Sequence, residues 1–189
     1  MEGTCNWAAT NELMLKYHDE EWGVPLHDDR KLFEFLVLEG FQAGLSWQTI
    51  LNKRENFRRA FDNFNVETVA SFNHDKVVEL MNDSSIIRNR MKIEATINNA
   101  KRFIEIQNEF GSFDKYIWGF TNNIVIVNAF RSLSELPAKT GLSEIISTDL
   151  KKRGFKFVGS TVIYAHIQAT GIVNDHLVTC RRHKEVMNV

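Results

Sequence analysis

Ser84-Ser85-Ile86-Ile87-Arg88-Asn89-Arg90-Met91-Lys92-Ile93 is the stretch that decides the fold. Ser84 to Arg88 reads as a short hinge without glycine. Beyond it, Ile93, Ile97, Ala100 and Ile104 recur at the spacing of one helical face, so a long amphipathic helix follows. Before it, the segment from Asp75 to about Met81 reads as a shorter helix. Helix, tight turn and helix, with Arg88, Arg90 and Lys92 around the second start, suggest a helix-hairpin-helix. Such a turn offers backbone N–H groups and a helix N-terminus to a phosphate. A glycine-rich turn is usual for that motif, so an ordinary αα-hairpin fits the residues equally well.

Outward from this hairpin the chain reads as helical. Asn11 or Thr10 caps a short helix through Leu13 and Tyr17. Asp28 is an N-cap for a helix carrying Leu32, Phe33, Phe35, Leu36, Val37 and Leu38. That helix is apolar nearly all round, which makes it central, and it ends near Gly40. Ser46 caps the next, with Trp47, Ile50, Leu51, Phe57 and Phe61. A short helix runs from about Val66 to Phe72. Phe113 to Phe120 reads as helix, Ile124 to Val127 as a strand or extended connection, and Ser134 to Pro137 as a loop. Leu142, Ile145, Ile146 and Leu150 mark a helix closed by Lys151-Lys152-Arg153 and Gly154. Ser160 caps the last long helix, through Ile163, Ile167 and Ala169. The expected class is all-α.

The 189 residues make one domain, or one with a small annex, and 43% apolar residues suffice for a core. No apolar stretch reaches the roughly 18 residues of a membrane span. Met1-Glu2-Gly3-Thr4 opens no secretory signal. A net charge of −1 makes no global case for nucleic acid. The basic residues are nevertheless clustered, at Lys53-Arg54, Arg58-Arg59, Arg88-Arg90-Lys92, Lys101-Arg102, Lys151-Arg153 and Arg181-Lys184. They form either a local phosphate-binding stripe or a set of solvated helix faces.

Both cysteines lie at the ends, each near a histidine: Cys5 with His18, and His176 with Cys180. Two thiols and two imidazoles complete a tetrahedral zinc set with no position left for chemistry. On a helix, His176 and Cys180 project from one face. A Cys5–Cys180 disulfide and two plain buried thiols are the alternatives, and a reducing compartment disfavours the disulfide.

One carboxylate stands out. Glu39 falls in the most apolar helix, within Leu38-Glu39-Gly40-Phe41, and a buried acid needs a partner or a task. It either pairs with an arginine or faces a ligand. Trp7, Tyr17, Trp22 and Trp47 are the aromatic residues that would cage a flat, electron-poor ring beside it, if they are not simply core. Phosphate-loop, dinucleotide, nucleophile-elbow and HExxH motifs are missing. His27, His74, His166 and His183 have no evident partner in sequence.

Long stretches carry a resemblance: Tyr17-His18-Asp19-Glu20-Glu21-Trp22-Gly23-Val24-Pro25, Leu38-Glu39-Gly40-Phe41-Gln42-Ala43-Gly44-Leu45-Ser46-Trp47, Ile87 to Ile93, Lys152 to Gly159, Cys5-Asn6-Trp7 and Gly171 to His176. Nearly end to end, the chain resembles the 3-methyladenine DNA glycosylase I family. The resemblance implies a helix-hairpin-helix glycosylase that flips 3-methyladenine out of DNA and hydrolyses its N-glycosidic bond. It implies Glu39 and Tyr17 reading the base, Trp47 stacking on it, and Trp7 and Trp22 walling the pocket. Gly44 and Leu45 match the segment that fills the gap in the duplex. Cys5, His18, His176 and Cys180 are then ligands of one structural zinc.

The implied organisation is one unit over 1–189. A helical core spans about 30–115, and 1–29 with 116–189 form a second, zinc-tethered lobe. The implied partners are alkylated double-stranded DNA and free 3-methyladenine as product, for a monomer in a bacterial cytoplasm with no membrane contact. Strand cleavage is not expected, because no lysine is placed as a Schiff-base nucleophile. The family lacks its superfamily's catalytic aspartate, and nothing assigns that role to Asp114. Met14 stands where close family members carry an aromatic residue. A non-catalytic DNA-damage binder with the same fold is the alternative.

Overall fold

The computed structural model describes residues 3–188. Its helices are α1 (Glu12–Glu20), α2 (Asp29–Gln42), α3 (Trp47–Ala60), α4 (Val66–Ala70), α5 (His74–Asn82), α6 (Arg90–Phe110), α7 (Phe113–Gly119), α8 (Gly141–Lys152), α9 (Ser160–Ala169) and α10 (Arg182–Glu185). Two two-residue strands, β1 (Ile126–Val127) and β2 (Val173–Asn174), pair in parallel, Ile126 opposite Val173 and Val127 opposite Asn174. Only β1 was foreseeable from the sequence. Among the described residues no helix is long and apolar enough to cross a membrane.

Side-chain caps set most helix starts, because the first N–H groups of a helix lack partners within it. Asn11 accepts from the Met14 N–H, Asp28 from Lys31, Ser46 from Thr49 and Asn89 from Lys92. Ser160 differs from expectation. It is the first residue of α9, and Gly159 holds the cap position with no side chain to offer.

α2 is the axis of the molecule. All ten of its residues from Leu32 to Phe41 are buried, and it packs on α3, α6, α7 and α9. It runs on to Gln42, past the expected end at Gly40, so Glu39 sits inside its last turn. The main core is one cluster reaching from Leu32 on α2 to Val173 on β2. A smaller cluster gathers Cys5, Met14, Tyr17, Trp22 and Cys180 around Phe35 and Leu51.

The hairpin α5–turn–α6 holds its shape without glycine. The Asp83 carboxylate accepts the Ser85 N–H at 2.8 Å, and Lys53 and Asn56 of α3 donate to the Ser85 carbonyl at 3.0 and 3.2 Å. Ile86 plugs the turn into the core. Side chains from a neighbouring helix thus do here what a flexible backbone does elsewhere.

Candidate active site and metal centre

α2 brings Glu39 to the floor of a cavity of about 310 Å³. α1 contributes Met14 and Tyr17, α3 contributes Trp47, and the N-terminal turn and the segment after α1 contribute Trp7 and Trp22. The five residues expected to read or wall a ligand therefore meet. Tyr17 lies 5.2 Å from Trp47 and 6.3 Å from Trp7, centroid to centroid, and Trp7 meets Trp22 edge-on at 5.1 Å. Met14 occupies one wall as an unbranched, polarisable side chain.

Glu39 is 4% exposed and has no hydrogen-bond partner among the described residues. Among the described residues no arginine pairs with it; Arg54 is engaged by Glu34 and Glu21. Burial pushes the Glu39 carboxyl up to about 8. Burial, then the charge of Glu39, holds the Tyr17 phenol well above its usual range. The Trp47 indole N–H is also buried without a partner.

A second cavity, of about 240 Å³, shares Glu39, Gln42 and Ala165 with the first and opens between Gly44-Leu45 and the start of α9. Leu45 is 41% exposed, and Gly44 has φ +85°, a left-handed conformation that favours glycine. By its sequence neighbours Arg88 and Arg90, Lys92 belongs to the basic stripe. It is instead 8% exposed, and its Nζ donates to the Phe41 and Ala43 carbonyls, both at 2.9 Å. It satisfies the open end of α2 and ties α6 to the Gly44-Leu45 loop. Arg58 and Arg153 are likewise held by carboxylates, while Arg88 is exposed.

Asp114 does not line the cavity. It pairs with His27 at 2.7 Å across 87 residues, a partnership that the sequence concealed. Gln42, Leu136, Ala165 and Gln168 also line the cavity and carried no local signal. Of these, Gln42 falls in the stretch Leu38 to Trp47 that carries the resemblance.

Beneath Trp7 and Trp22 lies the cluster Cys5, His18, His176 and Cys180. All four are buried, their donor atoms lie within 4.8 Å of one another, and both cysteines are free of any disulfide. His176 and Cys180 do not sit on a helix. A turn closed by the Cys180 N–H on the Leu177 carbonyl at 2.7 Å brings them together.

Cys5 Sγ is 3.8 Å from His176 Nδ1, and Cys180 Sγ is 3.5 Å from His18 Nε2 and 3.7 Å from His176 Nδ1. Tetrahedral zinc with ordinary bond lengths separates sulfur and nitrogen ligands by about 3.6 Å. The far nitrogens are fixed too: His18 Nδ1 meets Asp19 Oδ1 at 2.8 Å, and His176 Nε2 meets the Trp22 carbonyl at 2.9 Å. Such outer contacts set which nitrogen faces a metal. A hydrogen bond from the Cys5 thiol pulls Cys180 far below the usual thiol range and holds Cys5 above it. The residues present fit a divalent, thiophilic ion.

Comparison with known proteins gives a consistent result. A family model described as methyladenine glycosylase matches residues 7–183. DNA-3-methyladenine glycosylase 1 of Escherichia coli is 47% identical over 176 residues, covering 93% of this chain and 94% of that protein. The DNA-3-methyladenine glycosylase of Haemophilus influenzae is 43% identical over 180 residues, covering 95% and 97%. A crystal structure of a 3-methyladenine DNA glycosylase I superposes with a TM-score of 0.91 at 43% identity, covering 94% of this chain and 98% of that one. A Staphylococcus aureus structure described as the basis of 3-methyladenine recognition has a TM-score of 0.91 at 34% identity, covering 95% and 96%.

Proposed function

This chain belongs to the methyladenine glycosylase family, and on that premise we propose that the Glu39 cavity receives 3-methyladenine flipped from alkylated double-stranded DNA. The protein is a DNA N-glycosylase of the base-excision kind. The observation that carries the residue assignment is Glu39: a buried, unpartnered carboxyl facing an aromatic-walled cavity.

Methylation at N3 makes the nucleoside cationic, so its bond to the sugar is already weak. That bond breaks with its electron pair going to the base, which leaves neutral. Water adds to the sugar carbon and releases a proton, leaving an abasic site. A strong acid is not required, so selection of the base dominates. Extrusion costs a few kcal/mol, less for a damaged base, and stacking on Trp47 returns about 1–3 kcal/mol. Glu39 accepts from the exocyclic amine, and its negative charge is favoured by a cationic ring. Tyr17 adds a polar contact, and Trp7 and Trp22 exclude water. Leu45, presented by Gly44 and braced by Lys92, fills the vacated stack.

Cys5, His18, His176 and Cys180 would hold one zinc ion, whose contribution when bound is architectural. It would join 1–29 to 116–189. Tyr17 precedes His18, and the Trp22 carbonyl holds His176, so the clasp supports two cavity walls.

Chromatography of bases released from methylated DNA tests the reading. The wild-type chain should release 3-methyladenine. Glu39→Gln should lower that release about 100-fold, the scale of a lost transition-state contact, with the fold intact by circular dichroism. Undiminished release by the variant would remove Glu39 from the site. Release by neither protein would favour a non-catalytic damage binder.

A further inference from the structure

We propose that Gln168 is a specificity-determining residue of the cavity, offering a hydrogen-bond acceptor to an amino group on the base, and that Asp175 is the positioning residue that fixes it. The inference rests on the Glu39 reading above and extends it to the choice between bases.

Gln168, on the last turn of α9, lines the same cavity as Glu39. A glutamine amide has a donor end and an acceptor end, and which end faces a ligand decides what it can read. Here the choice is made by a neighbour. Gln168 Nε2 donates to Asp175 Oδ2 at 2.8 Å. Asp175 is 1% exposed, and its carboxylate has no freedom of its own. Oδ2 also accepts from the Tyr164 hydroxyl, and Oδ1 accepts from Asn128 Nδ2 at 2.6 Å. Turning the Gln168 amide round would set its oxygen against a carboxylate oxygen, two acceptors with no proton between them. The donor end is therefore committed.

Oε1 is the polar atom left to Gln168, and no described residue donates to it. Gln168 lines the cavity, so Oε1 is the atom it would offer there, beside the Glu39 carboxyl. Adenine carries an amine with two N–H donors, whereas guanine carries an oxygen at the corresponding position. An amino base satisfies acceptors that an oxo base leaves unpaired, and unpaired buried acceptors are what give a polar site its discrimination. The Asp175–Gln168 pair accordingly favours 3-methyladenine over 3-methylguanine.

The experiment compares release of both bases from one sample of methylated DNA by the wild-type chain, Gln168→Met and Asp175→Asn. Gln168→Met keeps the volume and removes the acceptor. It should lower 3-methyladenine release about tenfold while leaving 3-methylguanine release within about twofold, so the ratio falls about tenfold. Asp175→Asn frees the amide to turn either way and should lower the ratio in the same direction. Because Asp175 precedes His176, thermal midpoint and metal content are recorded for both variants. Gln168→Met, which touches neither thiol nor imidazole of the cluster, decides the matter if Asp175→Asn fails to fold. An equal fall in both bases, or an unchanged ratio in folded Gln168→Met, would overturn the inference and reduce Gln168 to packing. Absence of 3-methyladenine release by the wild-type chain would instead sink the functional reading itself.

Discussion

Glu34 and Glu39 lie on the same face-to-core helix, five residues apart, and are 5% and 4% exposed. They solve the same problem in opposite ways. Glu34 takes Arg54 Nε at 2.5 Å and Arg58 at 2.8 Å, and Arg54 also reaches Glu21 at 2.8 Å while lying 5.1 Å over the Phe35 ring. Glu39 takes nothing from the protein and faces a cavity. A buried charge with a complete set of partners is structure. A buried acid left without them keeps its proton to higher pH, and a cationic ligand favours its ionisation. The contrast separates a stabilising acid from a recognising one within a single helix.

Removing the zinc proposed for Cys5, His18, His176 and Cys180 should produce the largest effect and should fall on the Glu39 side. Structural zinc in small domains contributes roughly 10–16 kcal/mol of apparent free energy to folding. Treatment with a strong chelator is expected to lower the thermal midpoint by roughly 10 °C or more and to weaken binding of free 3-methyladenine about tenfold. Both walls tied to the cluster, Tyr17 and Trp22, border the Glu39 cavity, whereas Glu34 is held by α3. Metal analysis finding no zinc in freshly purified protein, or metal-free folded protein with unaltered base affinity, would refute the clasp.

Glu34→Ala comes next. It leaves Arg54 buried and short of its main partner, a loss of about 3–5 kcal/mol in urea unfolding. Base affinity measured on the folded fraction should stay within about twofold, since Glu34 does not line the cavity. A variant that keeps its stability but loses base binding would erase the distinction drawn between the two acids.

How much of this was legible beforehand follows from the range of the interactions. α2 was readable because an Asp28 cap and an unbroken apolar run are local signals. α6 was readable from its period, and the four metal-binding candidates from residue type and position, with zinc itself implied only by the resemblance. The hairpin turn was ambiguous because its support is remote: Lys53 and Asn56 reach Ser85 from 32 and 29 residues away. Lys92 looked like part of a basic stripe because sequence gives charge but not burial. β2 is two residues long, below the reach of any periodicity. Gln168 and Asp175 form their pair only when α9 and the chain after β2 are packed together, and no composition or spacing marks an amide as held in one orientation. The unpaired state of Glu39 was undecidable for the same reason, since an arginine partner from any helix would have removed it.

The last prediction is the pH dependence that this unpaired state creates. The folded protein holds a proton on Glu39 up to about 8, while an unfolded chain releases it near the ordinary value of 4.5. Between those limits the folded state binds more protons, so the contribution of this group to stability is greatest at low pH. It is lost progressively as pH rises from about 4.5 towards 8, and is level above. Glu39→Gln keeps the shape and removes the ionisation. Urea midpoints at pH 5 and pH 9 should therefore converge or match at the lower pH and separate at the higher, with the variant the more stable by a few kcal/mol. The same substitution that disables excision should strengthen the fold at alkaline pH, as expected where a recognising group is kept at a cost in stability. Parallel curves for the two proteins would mean that water entering the cavity already solvates Glu39. The difference from Glu34 would then lie in geometry alone, not in energy.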